Sequence, residues 1–70
     1  IKMEEKKLHS LINTLLKIAE ESGNPSKYNQ VIIDLLQADE YTNVNVMDHK
    51  GYPVIVFINK AGGITMLGNE

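Results

Sequence analysis

The side chains able to hold a metal, move a proton or attack a carbonyl are few in this chain, so their spacing decides what they can do. His9 and His49 are the only histidines, and cysteine is absent. With no His-x-x-x-His or Cys spacing, they do not form a metal-site pattern and are expected to be two solvated side chains. Asp48 beside His49 has the composition of part of a catalytic triad. Adjacent residues at a strand end point apart, however, and no activated serine accompanies them. Ser10, Ser22 and Ser26 lack a Gly-x-Ser-x-Gly setting, and Ser26 is explained by a helix start. Asp34, Asp39 and Glu40 form a small acidic group. Acid–base work by paired carboxylates needs a concave, water-poor site, so these read as solvated charges. Gly62-Gly63 follows Lys-Ala between two strand-like segments and reads as a hairpin turn, not a phosphate loop. No catalytic, cofactor-binding or metal-binding residue is expected, and the chain does not read as an enzyme.

Composition narrows the partners. The formal net charge is −2, and all seven basic residues are lysine. Guanine readout and phosphate clamps favour the planar guanidinium fork, so a nucleic-acid partner is not expected. Lysine and asparagine without arginine suit an AT-rich coding sequence, as in a bacterium or a mobile element. The longest apolar run, Val54 to Ile58, is far too short to span a bilayer. The segment Ile1-Lys2-Met3-Glu4-Glu5 lacks the basic-then-apolar plan of a secretory signal, which points to a soluble, cytoplasmic protein. Either Met3 is the native start or the chain is a piece of something longer. At 70 residues without disulfides, one small domain must draw its stability from tight packing or from oligomerisation.

Five elements account for the rest. Leu8, Leu11, Ile12, Leu15, Ile18 and Ala19 repeat with helical period, predicting a helix over about 3–22 that Gly23 stops. Asn24-Pro25 reads as an N-cap and first helical position, opening a second helix over about 25–39 whose stripe is Tyr28, Val31, Ile32, Leu35 and Leu36. Ile33 falls off that stripe. From Tyr41 the period becomes two: Val44 and Val46 share one side of an expected edge strand over 43–48. Asp48-His49-Lys50-Gly51 has the residues of a type I turn. Strands over 52–59 and 64–67 follow, separated by Asn59-Lys60-Ala61-Gly62-Gly63. The fold class is α+β: two N-terminal helices packed on one face of a three-stranded antiparallel meander, ααβββ.

Val54-Ile55-Val56-Phe57-Ile58 is an unbroken apolar run, the pattern of a strand covered on both faces. It splits into Val54, Val56 and Ile58 on one side and Ile55 and Phe57 on the other. The helices are expected to cover the first set. The second set is then shielded by loops and long flanking side chains, or covered by a second copy packed sheet on sheet, or by a continuation of the chain. The expected contact surface is the free face and edge strands, with Ile55, Phe57, Tyr52, Met47 and Met66. Met and Tyr suit such a surface. The expected partner is protein, foremost a second copy as a homodimer, with no nucleic acid, no membrane and an unknown ligand. Pro53, at the strand's start, guards the run against uncontrolled pairing.

A helix followed by Asn43-Val44-Asn45-Val46-Met47-Asp48-His49-Lys50-Gly51-Tyr52-Pro53, with an aspartate and glycine turn between two strands, resembles the opening of PAS, GAF and related sensor domains. It covers about Tyr28 to Lys60, without the later helices and closing strands of such folds. The resemblance implies a small-ligand sensor or signalling contact within a longer sheet, so a fragment of a ligand-sensing protein is the alternative reading. A site formed between protomers, using His49 and Asp48, is a third.

Overall fold

The computed structural model describes residues 3–68. Helix α1 spans Glu5–Glu21, α2 Asn29–Ala38, and strands β1 Thr42–His49, β2 Tyr52–Ile58 and β3 Ile64–Gly68 form one antiparallel sheet in the order β1-β2-β3. The α+β arrangement expected from the sequence is the one observed, with both helices on one side of the sheet. α2 lies over β1 and α1 over β3.

Helix α1 forms because Leu8, Ile12, Leu16 and Ala19 fall on one stripe, and all are buried. Ile18 lies outside that stripe and is exposed. Gly23 does end the helix. Its φ of 85° lets Gly23 N–H donate to the Glu20 carbonyl (3.1 Å) and Asn24 N–H to that of Ala19 (3.2 Å), a Schellman closure of the last carbonyls. The second helix starts later than Asn24-Pro25 suggests. Lys27 N–H donates to Asn24 and Asn29 N–H to Ser26, both three residues back, so 24–28 is a tight turn and the α-helix opens at Asn29. Its buried stripe is Ile32 and Leu36, while Val31 faces out. α2 closes with the same motif as α1. Tyr41 N–H donates to Leu36 (3.0 Å) and Glu40 N–H to Gln37 (3.1 Å), which forces Glu40 to a φ of 66° where glycine is usual.

The β1–β2 connection also differs from the type I turn. His49 pairs with Tyr52, leaving Lys50-Gly51 as the loop, with φ of 55° and 89°. Positive φ at both positions is the type I′ signature, whose twist matches that of the strands it joins. Asp48 belongs to the turn as expected, accepting a bond from Gly51 N–H through Oδ2 (3.4 Å). In a two-residue hairpin the closing pair exchanges hydrogen bonds, so the next pair, Asp48↔Pro53, is non-hydrogen-bonded. Pro53 therefore sits where this ladder needs no donor.

The core is Leu8, Ile12, Leu16, Ile32, Leu36, Tyr41, Ile55 and Phe57. Phe57 is its largest fully buried side chain and takes Tyr41 edge-on at 5.1 Å and His9 at 5.7 Å. His9 is thus part of the packing, not a solvated side chain.

Candidate functional site

Opposed residues in a ladder share a sheet face, so the register sorts the sheet into two. Pro53, Ile55 and Phe57 point to the helices with Val46, Thr65 and Leu67. Tyr52, Val54, Val56 and Ile58 point away, flanked by Thr42, Asn45, Met47 and His49 on β1 and by Ile64, Met66 and Gly68 on β3. The split of the middle strand is the one read from the sequence, but its sides are exchanged. Ile55 and Phe57, expected on the free face, are completely buried beneath the helices. The reason is volume: Phe57 and Ile55 fill the space between the helices, which the smaller valines would leave hollow. Tyr52, Met47 and Met66 do lie on the free face. Val54, Val56, Ile58 and Ile64 complete it.

This face has an unusual chemistry for water-exposed surface. Met47 is 57% exposed, Met66 66% and Ile64 72%, around a central row of half-buried Val54, Val56 and Ile58. Isolated exposed aliphatics are ordinary; a contiguous set on one sheet face is not. None of its residues is Asp, Glu or Lys. Gly68 carries no side chain, and a Cβ there would stand 2.7 Å from the Pro53 carbonyl oxygen. An open groove of about 480 Å³ results, lined by Met47, Asp48, His49, Val54, Met66, Leu67 and Gly68. A second groove of about 260 Å³ runs between α1 and the start of β2, past Asn13, Lys17, Glu20, Pro25 and Tyr52.

The titratable groups gather elsewhere, at the β2–β3 turn. Asn59 shapes that turn: its Oδ1 accepts from Ala61 N–H (2.9 Å) and Gly63 N–H (3.0 Å), and its Nδ2 donates to Thr65 Oγ1 (3.0 Å). Gly62-Gly63 is accordingly a turn. Glu5 Oε2 accepts from Lys60 N–H (3.1 Å) and from the Tyr41 hydroxyl (3.3 Å). The Lys60 ammonium donates to the Asp39 backbone carbonyl and lies 4.2 Å from the Tyr41 ring centroid. These contacts tie the turn to the start of α1 and the end of α2. Burial, the Glu5 charge, the hydrogen bond to Glu5 and the Asp39 charge, in that order, push the Tyr41 phenol from 10 up to about 12. Asp39 is not the solvated charge its sequence context suggests. It is 2% exposed, and neither carboxylate oxygen has a hydrogen-bond partner.

The remaining chemical candidates stay apart. Asp48 and His49 lie on opposite sheet faces by register, and the Ser22 hydroxyl is engaged by the Ala19 carbonyl (2.7 Å). Among the described residues no cluster of three His, Asp or Glu could hold a metal ion, and no helix is long and apolar enough to cross a membrane. What the fold presents is an apolar sheet face that no helix covers. Comparison with family models, curated proteins and solved structures finds no match to this chain.

Proposed function

We propose that this chain is a protein-interaction module that binds a second copy of itself through the uncovered sheet face, and that it is not an enzyme. The observation that carries this reading is the set Met47, Val54, Val56, Ile58, Ile64 and Met66 on one uncharged face. A chain of net charge −2 repels its own copies in general, but two such faces meet without bringing like charges together. Each copy offers the same self-complementary patch, as a two-fold contact requires. Two sheets packed face to face would interdigitate these side chains as in a β-sandwich. Thioethers at both rims adapt to small misfits.

The test is the mass in solution as a function of concentration, with Val56→Asp as the probe. Val56 is central on the face and takes no part in the helix-facing core. The unmodified protein is expected to gain mass with concentration and Val56→Asp to gain less while keeping its helical circular dichroism. A mass that stays at one chain at millimolar concentration overturns the reading.

A further inference from the structure

The sheet has two edges, and they are not treated alike. On β1 the register slips between Thr42 and Asn45, with Asn43 at a φ of 55° and the Asn45 side-chain amide donating to the Asn43 carbonyl (3.3 Å). A bulge, polar side chains and Asp48 are the usual means of blocking strand addition. β3 is plainer: Ile64-Thr65-Met66-Leu67-Gly68 is free of charge, proline and bulge, and its one polar side chain, Thr65, faces the helix side.

The direction of β3's hydrogen bonds follows from the register. Asn59 N–H donates to the Gly63 carbonyl (2.8 Å), so Gly63, and by alternation Thr65 and Leu67, turn their backbone groups to β2. Ile64, Met66 and Gly68 then turn theirs outward, where no strand lies among the described residues. The same residues face the free side of the sheet.

We infer that β3 of one copy pairs antiparallel with β3 of a second about a two-fold axis through Met66, making one continuous six-stranded sheet. Met66 then pairs with Met66 of the second copy, and Ile64 with its Gly68. Each such pair joins outward-facing groups and exchanges two N–H···O=C bonds. The side chains fit this register in particular. Ile64, the most exposed large apolar residue among the described residues, is set beside the one position of β3 that lacks a side chain. There it enters the groove bounded by Met47, Val54, Met66 and Gly68. A register shifted by one residue either way loses that fit.

Area gives a second argument. Three strands of this length present a face of roughly 350 Å² in projection at about 3.3 Å per residue and 4.8 Å between strands. A standard contact takes about 800 Å² of accessible surface from each partner. Edge pairing doubles the continuous face. This inference rests on the self-association proposed above; the two contacts use two-fold axes at right angles and, with those axes crossing, together they close four copies.

The experiment separates them. Met66→Pro removes an outward N–H that the β2–β3 ladder does not use, so the fold is retained. The unmodified protein is expected to reach a mass of four chains, Val56→Asp, whose face contact is broken, to stop at two through the edge, and Val56→Asp combined with Met66→Pro to stay at one. Hydrogen exchange of the unmodified protein is the second readout, independent of whether Met66→Pro folds: the Ile64 and Met66 amides should slow at least tenfold between micromolar and millimolar concentration. If those amides exchange equally fast at both concentrations while the mass still rises, edge pairing is overturned and the face contact stands. If they slow and Val56→Asp leaves the mass unchanged, the edge stands and the face contact falls.

Discussion

The two faces of β2 are made of similar residues and have opposite fates. Ile55 and Phe57 are sealed under α1 and α2, while Val54, Val56 and Ile58, one residue out of step, look away from the helices. An apolar run of this kind does not say which set goes inside. Side-chain volume and hairpin register decide it: a slip of one residue would exchange the faces, and only the observed register puts the phenyl ring between Tyr41 and His9. Burial on the helix side has to hold the monomer together. The other side is apolar although no helix covers it.

The largest expected effect tests that inequality directly. Phe57→Ala should cost about 3–5 kcal/mol, a large part of the roughly 5–10 kcal/mol available to a small domain, because it leaves a cavity between sheet and helices. Val56→Ala should cost under about 1 kcal/mol in the isolated chain, since it uncovers surface that is already half wet. Urea unfolding at a concentration low enough to keep single chains measures both. Equal losses would erase the distinction between the faces.

Much of this architecture was legible in the sequence, and the gaps have physical causes. Helical periodicity placed α1, Gly23 ended it, and the change of period at Tyr41 located the sheet. The sidedness of Ile55 and Phe57 was not legible, because period two sorts residues into sets without saying which set meets the helices. Phe57 was the available signal, as the largest apolar side chain in the run. Burial of Asp39 was hidden for another reason. Its charge reads as solvent-facing, yet the left-handed turn at Glu40 folds the chain back onto the helix end, where Lys60 reaches the Asp39 backbone carbonyl and the side chain is buried.

An intermediate effect is expected at Tyr41, where the helix-covered side meets the titratable cluster. Tyr41→Phe loses the hydroxyl bond to Glu5 (3.3 Å) and should cost about 0.5–1.5 kcal/mol at neutral pH. At high pH the sign reverses. The folded phenol ionises near 12 and the unfolded one near 10, so between those values unfolding releases a proton and stability falls as pH rises. Thermal melts from pH 9 to 12 should show a steeper decline for the unmodified protein than for Tyr41→Phe. Parallel declines would mean that Tyr41 is not held neutral by its surroundings.

The smallest effect concerns the turn that sets the register and hence the faces. Lys50 holds a φ of 55°, which a lysine adopts at a cost and asparagine tolerates well, so Lys50→Asn converts the loop to the preferred Asn-Gly of a type I′ hairpin. A gain of about 0.5–1 kcal/mol is expected, read as a higher urea midpoint with an unchanged slope. Because the change touches neither face, it should leave self-association as it was. A stabilised chain whose association also changed would mean that the hairpin tip near His49 and Tyr52 belongs to the contact.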